Sequence, residues 1–174
     1  MPAQILKIAP WRPHSSSSYG LTMSTTSLMT TSLTSPTARK LLGDLDAELM
    51  GIYPDHPYPP PFGDDEAKGV GKVLIAYTNR RAVGCGAVRR IDDTRAELLR
   101  MYVLPSARRQ GIGSLLLGAL EAEATDLGVT KVMLEAGDRQ PDAIPLYESR
   151  GYGRTEPWMT EPHPHSVFMQ RSIG

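Results

Sequence analysis

The sequence predicts a single α+β domain of three layers, in which a mixed, mostly antiparallel sheet carries helices on both faces. Three observations point there. "KVLIAY" and "AVGCGAVRRI", joined by "TNRR", read as a strand hairpin, and "RAELLRMYVL" supplies a third strand that Pro105 ends. A strand, helix, strand unit follows, and antiparallel strands succeeded by such a unit imply a mixed sheet. At 174 residues the chain is long enough for one real core and short for two domains.

The elements follow in order. Residues 1–24 read as a tail: "HSSSSYGLTMSTTSLMTTSLTS" is dominated by Ser and Thr, and no acidic residue occurs between Met1 and Leu33. Such a stretch has too little apolar surface to offset the entropy of ordering. An organelle transit peptide would need an Arg-rich amphipathic helix, whereas Lys7 and Arg12 are the only basic side chains there besides His14. From residue 25 the domain begins, with "SLMTTSL" as a first strand. In "SPTARKLLGDLDAELMGIY", Ser35 is the N-cap and Pro36 the first helical residue, and Leu41, Leu42, Leu45, Leu49 and Ile52 share one face. The prolines of "YPDHPYPPPFGDD" then enforce a loop. After the three strands, a glycine turn opens a helix on which Ile112, Leu115, Leu116, Ala119, Leu120 and Leu127 recur while Glu121, Glu123 and Asp126 face away; Gly128 stops it. "VTKVMLEA" is a strand, "PDAIPLYESRG" a short helix and "HSVFMQR" the last strand.

Nineteen basic residues balance nineteen acidic ones. Zero net charge argues against nucleic acid and anionic membranes as partners. Cys85 is the lone cysteine, so no internal disulfide exists, and no apolar run is long enough to span a bilayer. A cytoplasmic protein acting on small molecules is the expectation, with a homodimer open.

The stretch "LPSARRQGIGSLLLG" carries the chemistry. A helix N-terminus presents unpaired N–H groups and the positive end of the helix dipole, which suits phosphate. Gly111 and Gly113 let an anion reach the backbone, and Arg108 and Arg109 add charged donors. A plain helix start is the alternative. A Walker A loop would need a lysine that this turn lacks, and a dinucleotide fingerprint would need glycine where Leu116 stands. On "RAELLRMYV", strict alternation puts Arg95, Glu97, Leu99, Met101 and Val103 on one face and Ala96, Leu98, Arg100 and Tyr102 on the other. A carboxylate among apolar side chains is desolvated, which raises its pKa toward that of a general base; Glu97 could equally pair with Arg95 or another arginine. Tyr147 reads either as an aromatic packed beside Ile144 or as a phenol able to give up a proton.

Arg108, Gly111 and Gly113 fit the pattern Arg/Gln-x-x-Gly-x-Gly/Ala, which resembles the pyrophosphate loop of the GNAT superfamily, the acyl-CoA-dependent N-acyltransferases. The resemblance covers residues 25–174 and is nearest to a bacterial small-molecule branch. Gln140, Ala143, Leu146, Tyr147, Gly151 and Tyr152 occupy the family's closing pattern, with Gln140 standing where Asn is usual. The resemblance implies a GNAT-like fold and acetyl-CoA as acyl donor, with no metal. It makes Glu97 the base and Tyr147 the acid. It assigns cofactor binding to Met101, Tyr102 and Val103 on a strand that splays from its neighbour, to Arg108, Arg109, Gln110, Gly111, Ile112, Gly113 and Ser114 in the loop, and to Gln140. The Met101 N–H would meet the acetyl carbonyl, and Val103 the pantetheine.

Weaker features remain. Cys85 reads as a buried thiol, "HPH" (His163, His165) as a solvated loop rather than a metal site, and "YPDHPYPPPF" as a covering loop or a wall of the acceptor pocket. Arg89, Arg90 and Arg100 either face an anionic acceptor or line an exposed sheet. The implied activity is transfer of an acetyl group to an amine of a small molecule such as an amino acid or amine metabolite. The rivals are a protein lysine or N-terminal acetyltransferase and a non-catalytic acyl-CoA-binding module.

Overall fold

The computed structural model describes residues 25–55 and 69–174; the expected tail and the proline loop beyond Asp55 lie outside them. The elements are β1 (Thr26–Thr31), α1 (Pro36–Ile52), β2 (Val70–Thr78), β3 (Arg81–Arg90), β4 (Arg95–Val103), a 3-10 turn (Pro105–Ala107), α2 (Ile112–Asp126), β5 (Lys131–Gly137), α3 (Ala143–Ser149), β6 (Gly153–Arg154) and β7 (Ser166–Ser172). They form one seven-stranded sheet in the order β1-β2-β3-β4-β5-β7-β6. Among the described strands only the β4–β5 pair is parallel. The expected α+β fold is therefore present, extended by the short edge strand β6.

Local chemistry explains the joints. The Ser35 side chain accepts from the Ala38 N–H, with Pro36 at the first helical position of α1. The β2–β3 hairpin closes with Asn79 and Arg80 both at positive φ, the geometry of a two-residue turn that matches strand twist. Pro145 sits at the third position of α3, where its missing N–H costs no helical bond.

Each face of the sheet has its own core. On one, Leu41, Leu42, Leu45 and Leu49 of α1 pack with Ile75, Cys85, Ala87 and Tyr102. On the other, Leu116, Leu117 and Leu120 of α2 pack with Leu74, Val88, Leu98, Leu134 and Met169. Burying a large aliphatic side chain contributes about 1.5–3 kcal/mol, so these two layers hold the sheet between the helices.

Two sequence expectations are corrected. Glu121 and Glu123 do not face away from the core: both are buried. Glu121 accepts from Arg150 at 2.6 Å and Arg171 at 2.7 Å, and Glu123 pairs with Lys72. Cations from neighbouring elements make those positions tolerable, which a single-helix pattern cannot reveal. The second correction concerns β4. Cys85 faces Tyr102 while Ala87 faces Leu99, so two steps on β3 match three on β4, and Arg100 takes φ +56° at the extra residue. The bulge inverts the alternation beyond it. Leu99, Arg100 and Tyr102 lie on the α1 face with Glu97, whereas Met101 and Val103 turn to the α2 face with Ala96 and Leu98.

Candidate active site

The site begins where the sheet opens. β4 and β5 are paired only from Arg95↔Lys131 to Leu98↔Leu134. Beyond that register the two strands part, and β5 continues against β7 as far as Gly137↔Ser166. The backbone of Leu99–Val103 thus has no β5 partner, a splay in keeping with the resemblance.

A cavity of about 320 Å³ lies beside this opening, bounded by Met101, Tyr102 and Val103 of β4, by the N-terminus of α2, and by residues of α1 and α3. Gly111 caps α2 at φ +79°, a conformation glycine adopts freely, and no side chain caps the helix. Arg109 precedes it at φ +60°. First-turn N–H groups without a side-chain cap form an anion seat, and Gly111, Gly113 and Ser114 line the cavity there.

The two arginines of the loop differ. Arg108 donates from Nε to the Val103 carbonyl at 2.9 Å and from Nη2 to both carboxylate oxygens of Glu48 at 2.7 Å, and its guanidinium lies 5.8 Å from the Tyr102 ring centre. It braces α1 against β4 along the cavity wall. Arg109 is 87% exposed, with Asp142 at 3.7 Å, and stands at the mouth. Gln110 turns its side chain to the Ser106 carbonyl and the Ile112 side chain is in the core, so neither of these two expected cofactor residues lines the cavity.

A smaller cavity of about 170 Å³ adjoins the first. The two share Leu45, Leu49, Met101, Gln140 and Tyr147 as walls. The smaller one alone carries Glu97, Arg89, Arg100 and Glu135, with Met159 beside them. Glu97 is buried and accepts from Arg89 Nε at 2.6 Å; its ion-pair partner is this residue of β3, directly across the ladder, and not Arg95, which holds Asp92. Tyr147 is buried, stacks edge-on with Tyr152 at 5.8 Å, and its hydroxyl has no hydrogen-bond partner among the described residues. Burial pushes its pKa up to about 12. Glu97 and Tyr147, 50 positions apart in the chain, therefore line one small chamber.

Three residues escaped the sequence reading. Glu135, on β5, places a second carboxylate in the smaller chamber, held by the Ser166 hydroxyl. The alternation of "KVMLEAG" could have shown that Glu135 leaves the buried face of Val132 and Leu134. Asp46 of α1 binds Arg100 at 2.8 Å. Tyr53, at the end of α1, accepts from the Arg139 N–H at 2.9 Å and fills the space a side chain on Gly137 would need, since a Cβ there would fall 2.1 Å from its hydroxyl. This fit ties α1 to the loop that carries Gln140.

Weaker features resolve. Cys85 is buried and its thiol is pushed up to about 12, which leaves it inert at neutral pH. His165 lies between Arg139 at 3.1 Å and Asp138 at 3.0 Å. Arginine only donates, so Nε2 accepts and Nδ1–H donates to Asp138. Among the described residues no group of His, Cys, Asp and Glu could hold a metal ion, and no helix is long and apolar enough to cross a membrane. The proposed pocket wall in "YPDHPYPPPF" falls mostly outside the described residues.

A sheet splays beside an uncapped helix N-terminus, with two chambers meeting at the opening, and the family model that matches this region makes the protein an acyltransferase. The model of the acetyltransferase (GNAT) family matches residues 38–152, and the chain belongs to that family. An IAA acetyltransferase from Azospirillum brasilense is 33% identical over 138 residues, covering 77% of this chain and 89% of the relative. A solved structure from Klebsiella pneumoniae, assigned as an acyl-CoA N-acyltransferase, is 31% identical with a TM-score of 0.71, covering 87% of this chain and 99% of that one. A GNAT family acetyltransferase from Elizabethkingia anophelis, solved with acetyl-CoA bound, shares the fold at 18% identity and a TM-score of 0.62, covering 85% of this chain and 98% of that one.

Proposed function

We propose that the protein moves an acetyl group from acetyl-CoA directly to an amine of a small molecule, such as an amino acid or amine metabolite. The observation that carries this reading is the meeting of two chambers at Met101, Gln140 and Tyr147, one beside an anion-binding helix end and one lined by carboxylates. The donor chamber fits a pyrophosphate: Gly111 and Gly113 leave the α2 N-terminus bare, and Arg109 stands at its edge. Bound acetyl-CoA would supply the activated thioester. Residues 25–174 form the transferase domain, with residues 1–24 as a tail.

Each protein group then has a task. The α2 N–H groups and Arg109 hold the diphosphate, and the Met101 N–H at the bulge orients and polarises the acetyl carbonyl. An amine is mostly protonated at neutral pH, with pKa values of about 8–10, so a carboxylate must take its proton before attack. Glu97 is assigned that role, and Glu135 stands in the same chamber as a second carboxyl group. Tyr147, still protonated at any physiological pH, delivers a proton to the departing thiolate. No enzyme nucleophile is needed, and the inert Cys85 supports direct transfer. Similarity to an IAA acetyltransferase supports a small-molecule acceptor over a protein chain.

Thiol release from acetyl-CoA with a panel of free amines and peptides tests the reading. Turnover of small amines supports it; turnover of peptides alone would indicate a protein acetyltransferase, and binding without turnover an acyl-CoA-binding module. Glu97→Gln should lower the rate about 100-fold near pH 7 and recover as the amine loses its proton unaided at higher pH. A variant profile parallel to wild type would transfer the role to Glu135, for which Glu135→Gln should then show that recovery.

A further inference from the structure

The acceptor chamber has two arginines, and they are not equivalent. Arg100, 8% exposed, is held by Asp46 at 2.8 Å. Arg89 uses only Nε, which donates to Glu97 at 2.6 Å. Its two terminal nitrogens have no protein partner among the described residues, and the side chain lines the chamber at 32% exposure. A guanidinium with both terminal nitrogens available is a fork shaped for a planar carboxylate. The same chamber holds the Glu97 carboxylate immediately beside it.

We infer that the acceptor is a free amino acid, an amine whose own carboxylate sits one carbon away, and that the terminal nitrogens of Arg89 bind that carboxylate. This rests on the proposed acetyl transfer to small amines. An α-amino acid carries its two charges about as close together as Arg89 and Glu97 carry theirs. Laid head to tail on this pair, its ammonium meets Glu97 and its carboxylate meets Arg89, so no charge enters the chamber unmatched. A simple amine would satisfy Glu97 but leave the Arg89 fork empty. The N-terminus or lysine of a protein would do the same, because its neighbouring carbonyl is an amide. Arg89 is thus a substrate-binding residue that separates free amino acids from other amines.

The test compares free amino acids with their own amides and with the decarboxylated amines, using acetyl-CoA and thiol detection. For the wild-type protein, kcat/KM for the best free acid should exceed that for its amide by about tenfold or more, the value of one charge-assisted contact. In Arg89→Gln this ratio should fall to about one, mainly through KM of the acid, and Arg89→Lys should restore part of it. The ratio isolates the carboxylate contact even though Arg89 also touches Glu97, and the wild-type comparison stands without any variant. Equal turnover of acid and amide by wild type, or a ratio unchanged in Arg89→Gln, would overturn the inference while leaving acetyl transfer to amines intact. No turnover of any acid, amide or amine would overturn both.

Discussion

Tyr147, the proposed acid, shows how surroundings change the chemistry of one side chain. The phenol of a tyrosine in water ionises near pH 10, whereas burial holds this one protonated up to about 12. Between those values the unfolded chain has lost a proton that the folded chain keeps, so stability falls as pH rises through that window. Denaturant unfolding followed from about pH 9 to 11 should therefore lose stability with rising pH, and less steeply in Tyr147→Phe. Equal slopes would mean the hydroxyl is hydrated in the folded protein. Sequence alone located Tyr147 through its place in a family pattern; helical spacing could not separate a proton donor from a core aromatic. Glu97 was found in the same way, but its partner was not. Arg89 is eight positions away and becomes a neighbour only because β3 and β4 pair in that register.

At the scale of elements, the β4 bulge matters most. It brings Arg100 to the α1 face, where Asp46 binds it, and two residues further along α1 Glu48 binds Arg108. Two ion pairs thus clamp α1 to the strand that borders both chambers. Removing one partner of a buried pair costs about 3–5 kcal/mol. Asp46→Ala should lower the free energy of unfolding by about 3 kcal/mol in chemical denaturation; a loss under about 1 kcal/mol would reduce the clamp to a surface bridge. Strand order, hairpin and helix starts were legible because proline, glycine and apolar period act locally. The bulge was not, since one extra residue leaves no mark on composition and yet exchanges the faces of Arg100, Met101, Tyr102 and Val103. Burial of Glu121 and Glu123 was hidden for the same reason: Lys72, Arg150 and Arg171 arrive from other elements.

The whole molecule is a sheet held between helices and opened along one seam. Where β4 and β5 part, the end of α2 supplies a bare row of N–H groups on one side and charged β-strand residues face a smaller space on the other. In the proposed reading, donor and acceptor meet at the wall the two cavities share, which includes Met101, Gln140 and Tyr147. The glycine turn and bare helix start proposed to seat the donor were legible in "ARRQGIG" because such a turn has a local sequence signature; the smaller chamber was not, because its walls come from β3, β4, β5 and α1 at once. The central claim is that the α2 N-terminus seats the CoA diphosphate. Calorimetric titration of acetyl-CoA into the wild-type protein and Gly113→Glu tests it most directly, since a Cβ there meets only the flexible end of Leu146, at 3.2 Å, and the carboxylate adds a negative charge to the cavity wall. Wild type should bind and the folded variant should not; equal affinity in the two would contradict the account.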